Sequence, residues 1–165
     1  MRKNRAIILI ALSLVTIMTG CSTDGGASSA PTGTTTSMNL PQVTGDKGKE
    51  PTISAPQGAA PTSLQIKDIY DGDGAVATAT STLTVHYTLM AWSTGKVVES
   101  SWSSQPANFP LNQVILGWQQ GIPGMKVGGR RLLVIPPDLG YGNQAAGPIA
   151  AGETLIFVVD LISVA

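Results

Sequence analysis

The last 103 residues predict an α+β domain, mostly antiparallel sheet with one short helix. Three observations lead there. Two stretches alternate apolar and polar residues, SLQIKDIY (Ser63 to Tyr70) and LTVHYTL (Leu83 to Leu89), the period-2 signature of a half-buried strand. RRLLVI (130–135) and TLIFVVDLISV (154–164) read as further strands of the same half-buried kind. Only Val114 to Gln120 offers a helical window, and Ile122-Pro123-Gly124 stops it.

The N-terminus has a different character. Arg2, Lys3 and Arg5 precede an uncharged run, Ala6 to Met18, which at 13 residues is short for a bilayer span and suits the apolar core of a secretory signal. The run ends at Met18-Thr19-Gly20-Cys21, and Cys21 is the only cysteine, so no intramolecular disulfide is available to it. Gly directly before Cys at that place resembles the bacterial lipobox, with Met18 where Leu is usual. The resemblance implies that residues 1–20 are a lipoprotein signal peptide. Cys21 would then be lipidated and anchor the chain on the extracytoplasmic face of a bacterial membrane. A plain signal peptide cut elsewhere, or an uncleaved anchor, are the other readings. More than one acyl chain would be needed for stable anchoring.

From Ser22 to Thr62 the chain is rich in Ser, Thr, Gly, Pro and Ala, and Leu40, Val43 and Ile53 show no period. Residues 21–62 are therefore expected to be the lipidated cysteine and a disordered tether, with a reach of roughly 35 Å. Residues 63–165 are expected to form the folded domain. Formal charge is zero over the whole chain, and loss of Arg2, Lys3 and Arg5 leaves 7 Lys+Arg against 10 Asp+Glu. Neither balance points to nucleic acid.

Familiar catalytic motifs are missing from the domain. Asp71 and Asp73 in DGDG lack the later ligands of a calcium loop and read as a hairpin or loop turn. One histidine and one cysteine do not make a zinc site, so neither metal nor cofactor is expected. His86, on an alternating strand, reads as a structural hydrogen-bonding residue. The dense feature is GWQQGIPGMKVGGRR, where Gly117, Gly121, Gly124, Gly128 and Gly129 surround Trp118. The plain reading is a helix cap and a turn. The sharper one is close backbone approach at a pocket wall, with Trp118 as its floor.

The stretches TVHYTL, GKVVESS, FPLNQVILGWQQGIPGMKVGGRRLLVIPPDLGYG and ETLIFVVDLI closely resemble the FKBP-type peptidyl-prolyl cis-trans isomerases, the macrolide-binding immunophilins. The likeness covers essentially all of residues 63–165. It implies a twisted antiparallel β-sheet wrapped around one short α-helix, with a pocket between them. By the same resemblance Tyr87, Glu99 and Tyr141 are the catalytic candidates. Val98, Val114, Ile115, Trp118, Ile149 and Phe157 are the substrate-binding candidates. The Ile115 N–H and the Tyr141 hydroxyl would hold carbonyls of the bound chain, and Phe109 would lie nearer the core than the pocket. Val98-Glu99 stands where the family usually has Phe-Asp, and Ala107 where a pocket phenylalanine is frequent. A wider, less aromatic pocket is expected from these departures.

The implied function is isomerisation of X-Pro bonds in unfolded, exported polypeptides, with macrolide inhibitors as candidate ligands. The alternative is a non-catalytic chaperone or binding module for proline-containing chains at the cell surface.

Overall fold

The computed structural model describes residues 39–165. The expected signal peptide (1–20), Cys21 and the first part of the expected tether (22–38) lie outside the described residues. Eight strands follow in order: β1 (Val43–Thr44), β2 (Thr52–Ile53), β3 (Gln65–Tyr70), β4 (Thr82–Ala91), β5 (Lys96–Ser100), β6 (Ala107–Pro110), β7 (Arg130–Ile135) and β8 (Leu155–Val164). Helix α1 (Leu116–Gly121) lies between β6 and β7 and is preceded by a 3-10 turn at Leu111–Gln113; a second 3-10 turn, Pro137–Leu139, follows β7. Strands β3 to β8 form one antiparallel sheet in the order β3-β7-β8-β4-β5, and β6 joins it by pairing with β4. One edge of β4 is thus shared, Thr82 to Val85 with β6 and Thr88 to Ala91 with β5. The α+β fold expected from the sequence is the one observed.

Alternation sorts the side chains onto two faces. Leu83, Val85 and Leu89 of β4, Leu133 and Ile135 of β7, and Leu155, Phe157, Val159 and Leu161 of β8 form one apolar cluster with Trp118 and Ile122. Met90, Leu132, Val134, Ile156 and Val158 form a second cluster on the other face.

The helix sits close against the first face because of two glycines one turn apart. A Cβ on Gly117 would enter the side chain of Ile135, and one on Gly121 would lie 2.7 Å from Leu133 Cδ2. Gly124, at φ 86°, then reverses the chain where an L side chain would be strained. The dense glycines thus serve close approach and a turn together. DGDG is a loop, because β3 and β4 are not neighbours in the sheet. Its Gly74 N–H donates to the Val127 carbonyl at 3.0 Å.

The second face overturns one expectation. Residues 39–62 are ordered chain, where a disordered tether was predicted through Thr62. Val43 pairs with Ile53 and Thr44 with Thr52. The hairpin lays Ile53, 8% exposed, on the second cluster, with Leu40 and Val43 packed against it. Three scattered aliphatics lack a period because each docks singly onto a surface the sheet supplies. The turn of the hairpin is fixed by Arg130, only 1% exposed. Its guanidinium is paired with Asp160 and donates to the carbonyls of Lys49 at 2.5 Å and Gly45 at 3.3 Å. A buried cation is tolerable only with such a full set of acceptors. Tyr70 adds a hydroxyl bond to the Gly45 carbonyl at 2.8 Å, and its ring lies 5.6 Å from the guanidinium.

Candidate active site

Between α1 and the first face of the sheet lies a cavity of about 380 Å³, lined by Tyr87, Leu89, Glu99, Phe109, Gln113, Val114, Ile115, Trp118, Tyr141 and Phe157. Trp118, 3% exposed, closes its inner end. The rings of Phe157, Phe109 and Tyr87 meet the indole edge-on, with centroids 5.3, 5.8 and 6.0 Å away. Edge-to-face contact is a favoured arrangement of quadrupolar rings. Leu83, Val85 and Leu89 bury one face of β4, so Tyr87, at the same parity, projects beside Trp118.

The polar groups are few. The Tyr87 hydroxyl donates to Glu99 Oε1 at 2.5 Å. Burial, then this bond and the negative charge behind it, push the Tyr87 phenol well above its ordinary pKa, so it stays protonated. Glu99 reaches the cavity from an irregular part of β5. Leu89 pairs with Glu99 and Met90 with Val97, which leaves Val98 as the extra residue of a bulge.

Val114 and Ile115 are extended, at ψ 178° and 150°, before α1 begins. The Gln119 side chain donates to the Val114 carbonyl at 2.7 Å and so orients the Val114–Ile115 peptide. Among the described residues the Ile115 N–H donates to no backbone carbonyl, as befits a residue at a helix start. Tyr141 stands at the rim, 41% exposed.

Seven of the expected site residues therefore meet at one cavity. Val98 packs against the apolar cluster and Ile149, 5% exposed, lies within it, but neither lines the cavity. Leu89, Phe109 and Gln113 line it without having been assigned there. Leu89 follows from the alternation through Tyr87. Gln113 ends a 3-10 turn and carries no comparable signal. Ala107, half-buried, pairs with Val85. His86, off the cavity, is a structural residue: Nδ1 lies 3.0 Å from Ser101 Oγ, and the ring stacks on Trp102 at 4.3 Å.

The cavity is lined mainly by aromatic and aliphatic side chains, and the Tyr87–Glu99 pair, Gln113 and Tyr141 are the polar side chains among them. The comparisons with known proteins place it further. The sequence pattern of the FKBP-type peptidyl-prolyl cis-trans isomerases matches residues 74–162. The FK506-binding protein of Streptomyces anulatus is 52% identical over 121 residues, 70% of this chain and 98% of that protein. A probable FK506-binding protein of Corynebacterium glutamicum is 49% identical over 116 residues, with 70% and 98% covered. The crystal structure of a peptidyl-prolyl cis-trans isomerase from Pseudomonas syringae superposes with a TM-score of 0.57 at 32% identity, covering 62% of this chain and 75% of that one. This chain belongs to the FKBP-type peptidyl-prolyl cis-trans isomerases. Its activity is the cis-trans isomerisation of X-Pro peptide bonds.

Proposed function

We propose that the aromatic cavity is the isomerase centre and that it acts on unfolded polypeptides outside the cytoplasm, from a lipid anchor at Cys21. The observation that carries the site is the convergence of Tyr87, Phe109 and Phe157 on Trp118 around a cavity of about 380 Å³.

Planar amides resist rotation by about 18–20 kcal/mol because resonance is lost in the twisted state. That twisted state has less charge separation than the planar one, so an apolar enclosure favours it differentially. Trp118 and Phe157 receive the pyrrolidine ring. The Ile115 N–H and the Tyr141 hydroxyl hold carbonyls on either side, which orients the peptide for rotation at the prolyl bond. Tyr87, kept protonated and held by Glu99, bounds the space into which the rotating carbonyl turns. Each 1.36 kcal/mol of such preference gives about tenfold in rate. The same apolar floor suits FK506-like macrolides, after which the relatives from Streptomyces and Corynebacterium are named.

The test is cis-to-trans conversion of a short peptide with an apolar residue before proline, followed by NMR exchange, with a Trp118→Ala control. Acceleration that disappears in the control supports the assignment. Peptide binding without acceleration would favour a holder of proline-containing chains instead. For the anchor, the basic start, the apolar run and Gly20-Cys21 are the support. Cys21→Ser should release the protein from the membrane fraction, and mass spectrometry should find the acylated Cys21 peptide only in the native chain. A native chain without that peptide would sink the anchor.

A further inference from the structure

The hairpin that covers the second face also reaches the strand that carries Glu99. Its stretch from Glu50 to Pro56 contacts β5 and the turn before it. At one end Ser100 Oγ donates to Glu50 Oε1 at 2.6 Å. In the turn just before the other, a Cβ on Gly95 would lie 3.4 Å from Ala55 Cβ and 3.5 Å from Pro56 Cδ. Ile53, between these contact points in the sequence, is buried on the second face of the sheet. Glu50 itself is placed by its neighbour, since the Lys49 carbonyl is bound by the buried Arg130.

Strand β5 needs such support. It lies at the edge of the sheet, and its ladder to β4 is broken at Val98, directly before Glu99. Beyond Glu99, Ser101 is tied to Tyr87: its N–H donates to the Tyr87 carbonyl at 3.0 Å, and its Oγ accepts the Tyr87 N–H at 2.9 Å. Ser100 lies between, with its hydroxyl donating to Glu50 and accepting the Trp102 N–H at 3.3 Å. Glu99 thus pairs with Leu89 directly after the bulge at Val98, while the hairpin holds the adjacent residue, Ser100, from outside the sheet.

We propose that Glu50 is a positioning residue for the isomerase pocket: through Ser100 it fixes the end of β5 and so holds the Glu99 carboxylate on the Tyr87 hydroxyl. This rests on the reading of the aromatic cavity as the isomerase centre. An ordinary surface hydrogen bond between an exposed carboxylate and a serine would leave the pocket indifferent to its loss. A positioning bond makes the pocket depend on it.

The experiment compares Glu50→Ala and Glu50→Gln in the full chain, each with native Glu99 and with Glu99→Gln. Glu50→Ala is expected to lower kcat/KM about three- to tenfold, mainly in kcat, well short of the roughly hundredfold cost of an ångström-scale misplacement at a reacting group. Thermal stability should change little. Glu50→Gln keeps an acceptor oxygen for Ser100 and should restore most of the rate. In the Glu99→Gln background Glu50→Ala should have no further effect. An equal loss in both backgrounds, or none in either, overturns the proposal. The second readout is the Tyr87 ring resonances by NMR, which should shift in Glu50→Ala while those of Phe157 hold. Unmoved Tyr87 resonances overturn the proposal whatever the rate assay shows, which separates its failure from failure of the isomerase assignment.

Discussion

At the scale of single residues, the cavity is a set of aromatic rings with one strong hydrogen bond at its side. Trp118→Ala removes the surface on which the other rings stand and should lower kcat/KM by about two orders of magnitude, while Tyr141→Phe should cost a smaller factor of about three to ten. Peptide isomerisation rates check both, and full activity in both variants would reject the pocket. The burial of Tyr87, together with its bond to Glu99, has a consequence for pH. The folded-state pKa of Tyr87 is raised above its ordinary 10.0, so the contribution to stability is complete below pH 10 and declines above it, where the unfolded chain loses the proton first. Urea unfolding should therefore show stability falling faster between pH 10 and about pH 11 in the native chain than in Tyr87→Phe. Much of this was legible in the sequence. The period of β4 places Tyr87 with Leu83, Val85 and Leu89, and the family motif supplies Trp118, Val114, Ile115, Tyr141 and Phe157. Gln113 and the limited role of Val98 were not, because a 3-10 turn and a bulge each depart from the regular spacing on which such readings depend.

At the scale of elements, a helix of six residues has little stability of its own and is held by what it touches. Gly117 and Gly121 let it approach β7, and Arg131 of β7 reaches back to its end. There Nη1 donates to the Gly121 carbonyl at 2.8 Å, while Nε binds Asp68 of β3 at 2.6 Å. Gly121→Ala would drive a methyl into Leu133 and should destabilise the domain by about 1–3 kcal/mol, the usual range for an overpacked core. Denaturant titration measures it, and the displaced Trp118 should lower activity in the same variant. An unchanged unfolding midpoint would mean that the helix can shift without loss. The glycine spacing announced that something approaches closely there. Which strand does so follows only from the sheet order, because β7 comes after the helix and then inserts between β3 and β8.

At the scale of the whole molecule, the domain starts before the boundary its composition suggests. The match to the Streptomyces protein takes in 70% of this chain, more than the 103 residues from Ser63 onward, so it too extends into the hairpin region. Removing residues 39–62 would expose Met90, Leu132, Val134, Ile156 and Val158 together and leave Arg130 without the Lys49 and Gly45 carbonyls. A chain beginning at Ser63 should therefore melt well below one beginning at Asn39. Ile53→Ala alone should cost about 2–4 kcal/mol, the range for truncating a buried aliphatic side chain. Equal melting of the two chains would show that the hairpin is an ornament on an independent domain.

The clue to that cover was present in β7 and β8. Both strands read as half-buried in the sequence, but LLVI (132–135) and LIFVV (155–159) are apolar at successive positions and are buried on both faces, the mark of a sheet covered on both sides. By itself the sequence determined four of the strands (β3, β4, β7 and β8), the single helix and the family, and the family motif supplied seven of the residues that line the cavity, since these rest on local period and on a contiguous motif. Only the tertiary structure decided that residues 39–56 belong to the folded unit, that Arg130 anchors them and that Glu50 reaches β5. Those contacts join residues 50 to 85 positions apart, and they depend on a surface that exists only after the sheet has formed.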